Sequence, residues 1–294
     1  MIHDVRQTTR YAYALPVPTS RQVLRLLPAD RPGQRVLAAH LDVAPAPTAP
    51  LREERDFFGN RMVHLALDRP HRELALTTTA TVEVTARPLP AIGDTPPWEE
   101  VRDLAAVSRA WGPDAPAHFL MPSRAVPLTR VIADYVRDTF MDGGWILAAS
   151  LDLMSRIHAD MAYVPGATEV TSPPGDAFAQ RAGVCQDFAH IMIDGLRGLG
   201  LPARYVSGYL RTEPPEGQPR LVGADATHAW VEVWCGPEAG WIGLDPTNNM
   251  AAGGEDHIVL AIGRDYADVA PVEGVVVASG GHTLEVGVDV VPRG

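Results

Sequence analysis

The sequence predicts an α+β protein: a β-rich N-terminal unit followed by a larger unit of helices and then strands. Three observations carry this reading. Apolar residues alternate with polar ones up to about residue 86, recur at helical spacing from about residue 98, and return to alternation beyond Pro202.

In the first stretch, Leu74, Leu76, Thr78, Ala80, Val82 and Val84 mark one face of a strand, and RQVLRLL and RMVHLAL are shorter runs of the same kind. APAPTAP and Phe58-Gly59-Asn60 break the runs, as turns do. Residues 1–86 therefore read as an antiparallel β-sandwich or sheet that folds as a unit of its own, and the proline-bearing 87–97 as a linker out of it. Residues 98–294 form the second unit. There, Val101, Leu104, Ala105, Ser108 and Trp111 fall on one helical face, and Leu128, Val131, Ile132, Tyr135 and Val136 on another. ILAASLDLMSRIHADM continues the helical pattern, and GATEVTSPPGDA reads as a loop. A helix then opens at Gly183-Val184-Cys185, buries Phe188, Ile191, Met192, Leu196 and Leu199, and stops at Gly200-Leu201-Pro202. The strands that follow are ARYVSGYL, THAWVEVW, GWIGLDPT, HIVLAIG, GVVVAS and HTLEVGVDVV.

Composition narrows the function. A chain of 294 residues with 46% apolar content fills a real core, and no apolar run approaches a membrane span of roughly 18 residues. The start, MIHDVRQTTRYAY, lacks the blocks of a signal peptide, so the expected location is the cytoplasm. A formal charge of −11 repels phosphate backbones and anionic lipid, which argues against nucleic-acid and membrane partners. There is no Lys anywhere, which excludes Schiff-base and P-loop chemistry. Two cysteines do not make a disulfide framework, so each is read singly as core filler or nucleophile.

Cys185 stands at a helix mouth behind a glycine, where unpaired N–H groups and the helix dipole favour a thiolate and can hold an oxyanion. His228 opens a strand, placing an imidazole at the rim of a sheet, and Asp245 ends the next strand, before Pro246. Each alone has a plainer reading: a buried thiol, a rim histidine, a turn aspartate. Together they suit nucleophile, base and orienting carboxylate, because a hairpin of the two strands can bring His and Asp together.

The blocks GVCQDFAHIMIDGLRGLGLPARYVSGYL and THAWVEVWCGPEAGWIGLDPTNN resemble the Cys, His and Asp motifs of the transglutaminase-like superfamily, in order and at comparable spacing. YAYALPVPTSRQVLRLLPAD and DFFGN resemble the β-rich N-terminal region of its bacterial members, and AIGRDYADVAPVEG their tail. The resemblance implies a papain-like core with a nucleophile helix packed on an antiparallel sheet, and roles for Cys185, His228 and Asp245 as nucleophile, base and orienter. It also implies an acyl-enzyme formed from a peptide or protein substrate. Hydrolysis of a peptide or amide is the preferred reaction. The alternatives are acyl transfer to an amine, a thioester-dependent acyltransferase, and a binding module without turnover. No calcium-type loop or paired CxxC is present, so no metal and no cofactor is inferred.

Other residues have simpler roles. Tyr163 can line the cleft or donate to an oxyanion, though a buried tyrosine on a strand is the commoner reading. Cys235 reads as structural, and Asp187 as a favourable charge in the first helical turn. His190 lies about 140° round the helix from Cys185 and faces away from it.

Overall fold

The computed structural model of the protein describes residues 1–212, 226–277 and 280–293. The N-terminal alternation builds β1 (Ile2–Val17), β2 (Thr19–Leu24), β3 (Gln34–Ala44), β4 (Arg52–Arg55), β5 (Arg61–Leu67) and β6 (His71–Val84). The marked residues of β6, from Leu74 to Val84, are all buried on one face. That face serves two cores: Leu74 and Leu76 pack inside the sandwich, while Ala80, Val82 and Val84 pack against the second unit.

Helices follow: α1 (Trp98–Ala106), α2 (Arg130–Arg137), α3 (Ile146–Asp160), α4 (Pro174–Gln180) and α5 (Cys185–Gly198). A short β7 (Ala162–Tyr163) and β8 (Ala182–Gly183) pair in parallel just ahead of α5. Then come β9 (Ala203–Leu210), β10 (Ala226–Trp234), β11 (Trp241–Asp245), β12 (Met250–Ala251), β13 (His257–Gly263), α6 (Tyr266–Val269), β14 (Val272–Val277) and β15 (His282–Arg293). The last two residues of the GVVVAS run, 278–279, lie outside the described residues. Among those described, no helix is long and apolar enough to cross a membrane.

A five-stranded sheet has the order β12-β11-β10-β9-β13. Helix α5 lies on the face carrying Tyr205, Ala229, Val231 and Val233, and α2, α3 and α4 cover its other sides. Ile191, Met192, Ile193 and Leu196 expose 0% of their surface, each a burial worth about 1.5–3 kcal/mol. Gly195 is required there, because any Cβ would collide with Val136 of α2. Beyond the N-terminus of α5 the same sheet region continues as Tyr209, Ile258 and Leu260, where Val5, Val82, Val288 and Val290 of the sandwich cover it. Helix and sandwich thus meet the sheet side by side.

The edge strand β13 is closed by two buried amide side chains of the sandwich. Gln34 donates to Val259 O and accepts from Val259 N, both at 2.8 Å. Asn60 does the same for Ile262, at 2.7 and 2.8 Å. Each amide takes the place of a neighbouring strand's peptide group, satisfying the open edge and clamping the two units.

Four features depart from the sequence reading. The division at residue 86 leaves the sandwich incomplete: β15 pairs with β1 along Ile2–Tyr13, and β14 pairs with β2, so residues 272–293 belong to its sheets rather than to a contiguous 98–294 unit. The edges of β1 and β2 would otherwise lack hydrogen-bond partners. Helix α1 stops at Ala106, leaving Trp111 83% exposed, and Val131 of α2 also faces solvent. Leu128 precedes α2 with φ 66° and takes no part in its face. The stretch read as a loop contains the start of α4, where Pro174 fills the first turn without wasting an N–H.

Candidate active site

Cys185 is the first residue of α5, after Val184 in extended conformation. Asp187 secures this helix mouth: its Oδ2 accepts from Val184 N at 2.8 Å and from Thr168 Oγ1 at 2.6 Å. Gly183 makes this approach feasible, since a Cβ there would sit 2.5 Å from Asp187 Oδ2. The favourable first-turn charge expected of Asp187 is therefore also a cap.

Strands β10 and β11 pair antiparallel, with Val231 opposite Leu244. Strand alternation then puts His228, Trp230 and Asp245 together on one side of the hairpin. His228 Nε2 lies 2.7 Å from Asp245 Oδ2. A carboxylate can only accept, so Nε2 carries the hydrogen and Nδ1 is the basic nitrogen. Burial pulls the His228 pKa down, but hydrogen bonds to Asp245 and to Cys185 outweigh it and raise the value to about 9. Asp245 is wholly buried; burial favours its neutral form, yet its bonds to His228, His257 and Asn248 hold its pKa well below the usual carboxylate range. The turn after Pro246 adds N–H groups of Thr247 and Asn248 at 3.0 and 3.2 Å from Oδ1. Asn248 Nδ2 reaches Oδ2 at 2.8 Å.

A cleft of about 280 Å³ opens over Cys185 and His228. The sheet supplies Tyr205 and Ser207 to it, and the sandwich supplies Gln7, Tyr11 and Leu284. Tyr163 is placed differently from the buried tyrosine expected. It is 55% exposed on β7, and its pKa is raised by partial burial and by the nearby Cys185. Cys235 is fully buried, 3.7 Å from Val233 O, and burial pushes its thiol up to about 12. His190 does face away from the thiol: its Nε2 accepts from Tyr266 N at 3.2 Å, and burial lowers its pKa to about 4. Both thiols are free.

One further residue joins the site that the sequence reading passed over: His257, whose Nε2 is 3.2 Å from Asp245 Oδ2. The only signal in the sequence was a histidine opening a strand. The donor atoms of His228, Asp245 and His257 lie within 4.8 Å of one another, close enough to hold a metal ion. Both ring N–H groups already point at the carboxylate, so a cation would have to displace two protons.

Comparison with known proteins fits this geometry. Residues 3–83 match the bacterial transglutaminase-like N-terminal region, and residues 132–246 match the transglutaminase-like superfamily. The uncharacterised protein Rv2569c of Mycobacterium tuberculosis is 36% identical over 99% of this chain and 92% of its own length. The chain belongs to the transglutaminase-like superfamily. Another relative of this transglutaminase-like protein, the uncharacterised ML0607 of Mycobacterium leprae, is 33% identical over 97% of both chains. A protein-glutamine gamma-glutamyltransferase of Pseudomonas aeruginosa is 37% identical over 45% of this chain, but only 20% of its own. The crystal structure of a candidate cysteine protease from Cytophaga hutchinsonii superposes with a TM-score of 0.76 at 23% identity, covering 100% of this chain and 92% of that one. The fold is therefore the transglutaminase-like core with an N-terminal β domain, as the sequence implied.

Proposed function

We propose that the protein hydrolyses a peptide or amide bond through a thioester on Cys185, with His228 as base and Asp245 as its orienter. The observation that carries this is the polarity of His228: Asp245 holds Nε2 at 2.7 Å, which leaves Nδ1 as the nitrogen for the thiol at the head of α5.

In the first half-reaction, Nδ1 takes the Cys185 proton and Sγ attacks the substrate carbonyl carbon. The oxyanion is met by first-turn amides of α5, with the half-exposed Tyr163 hydroxyl as a candidate second donor. The C–N bond breaks as Nδ1–H protonates the departing amine, leaving the thioester. In the second, Nδ1 takes a proton from water, the hydroxide oxygen attacks the thioester, and the acid leaves as Sγ recovers its proton.

The likeness to a protein-glutamine gamma-glutamyltransferase supports a second reading, in which an amine takes the place of that water. It also supports peptide or protein as the substrate class. We place the reaction in the cytoplasm, where two unpaired cysteines suit a reducing environment, and without a metal or cofactor.

Intact-mass measurement after exposure to a small library of peptides and amides tests the proposal. A mass increment equal to the acyl group, found on Cys185 and missing in Cys185→Ala, is expected. Turnover that survives Cys185→Ala would overturn it. An adduct chased by added amine rather than by water would select the second reading.

A further inference from the structure

His257 is 4% exposed at the start of β13 and contacts the site from a strand that bears none of the triad. Its Nε2 stands 3.2 Å from Asp245 Oδ2, the same oxygen that takes His228 at 2.7 Å. Because that oxygen only accepts, His257 carries its hydrogen on Nε2. Its Nδ1 has no hydrogen-bond partner among the described residues. The ring packs edge-on to Trp230, with centroids 5.0 Å apart. For packing alone an apolar ring would serve better, since a buried, unmatched nitrogen costs free energy. What the imidazole adds is the single N–H aimed at Asp245. Two residues on, Val259 is held at both peptide groups by Gln34, which fixes the height of the strand that presents this N–H.

We propose that His257 is a positioning residue for the reaction: its Nε2–H holds Asp245 Oδ2 from β13, stopping the carboxylate from rotating out of line with His228. This rests on the triad assigned above. Asp245 is then gripped from three strands or turns at once, by His228 on β10, by His257 on β13 and by the turn amides of Thr247 and Asn248. The titratable groups around this point are Asp245, His228 and, across the His228 ring, Cys185. Glu232 lines a cavity of about 110 Å³ together with His257 and is engaged by Arg204 at 2.6 Å.

The test compares His257→Phe, which keeps a ring but loses the donor, with His257→Gln, which restores an N–H at similar reach, in the full chain. The readouts are the NMR titration of the His228 ring, the rate of Cys185 alkylation by iodoacetamide, and kcat and KM on any amide that turns over. In the Phe variant the His228 titration should move down by about half a pH unit or more, and kcat should fall about tenfold with KM unchanged. The Gln variant should stay within about twofold of wild type. If Phe overpacks against Trp230 and lowers the unfolding midpoint, the smaller His257→Leu takes its place. A His228 titration that is unmoved or raised without the donor would overturn the proposal, as would equal losses in Phe and Gln. Failure of the triad itself reads differently: iodoacetamide would then label wild type and His228→Ala at the same rate.

Discussion

Replacing Asp245 by Asn removes a charge from a buried site while keeping the shape of the side chain, and the structure sets the size of the effect. In the folded chain the His228 pKa is about 9, against an ordinary value of 6.5. At 1.36 kcal/mol per pKa unit, the protonated ring contributes about 3 kcal/mol to folding. The sign follows from linkage: a raised histidine pKa gives stability that is fully present below about pH 6.5 and lost as the pH rises through about 9. The lowered pKa of Asp245 gives stability that is lost as the pH falls through the carboxylate range, and it is the same ion pair seen from the other partner, not a second contribution. In Asp245→Asn the burial of His228 is opposed by Cys185 alone, so the pKa of the ring should fall. Urea unfolding of wild type and variant, followed by tryptophan fluorescence at pH 6 and pH 9.5, isolates the effect. The stability lost on substitution should be larger at pH 6 than at pH 9.5, by up to about 3 kcal/mol. Equal losses at the two pH values would mean that His228 is not held as a cation by Asp245, and the reasoning from geometry to charge would fail.

The cysteines and the domain boundary yield two further tests. Iodoacetamide at neutral pH should label Cys185 and spare the buried Cys235, and Cys185→Ala should lower turnover roughly a thousandfold or more while Cys235→Ala leaves it nearly intact. Rapid labelling of Cys235 with Cys185 inert would reverse the assignment. Limited proteolysis should cut in the exposed stretch between Ala86 and Asp94, yet the pieces should stay together on a native gel because β14 and β15 remain hydrogen-bonded into the sandwich. Pieces that separate at once would show that these pairings contribute little.

What was legible in the sequence was whatever is local. The alternation of Leu74 to Val84 and the buried positions of α5 follow from one strand's or one helix's periodicity, and both elements lie where that periodicity put them. Cys185, His228 and Asp245 could be singled out as candidates because a helix start and two strand ends are sequence features, and the hairpin brings His228 and Asp245 within 2.7 Å. The partners of a strand are not local. The patterns of β14 and β15 read as strands, but nothing in them says that they return some 270 residues to pair with β2 and β1. Proximity in sequence favoured the unit of residues 98–294 instead. His257 was hidden for the same reason: its meaning depends on β13 lying at the far edge of the sheet while Asp245 turns towards it. At Trp111 the helical spacing ran on past the point where α1 ends, and a period alone does not mark that end.

The return of the chain has a chemical consequence. Sheet residues Tyr205, Ser207 and Thr227 line the cleft in front of Cys185, on the face that α5 has already left. If the chain ended with the core, that wall would be open water. Instead Gln7, Thr9 and Tyr11 of β1 and Leu284 and Val286 of β15 close it. An imidazolium–carboxylate pair weakens as water reaches it, because the effective dielectric rises. His228 at 8% exposure and Asp245 at 0% are shielded from solvent, and the sandwich shares the cleft wall beside His228. The sandwich also supplies part of the lining of the cleft over Cys185. On the proposed mechanism the triad treats water and amine alike, since either needs only to lose a proton to His228. The choice between hydrolysis and transfer must then lie in the wall, in residues that the N-terminal and C-terminal strands bring to the cleft.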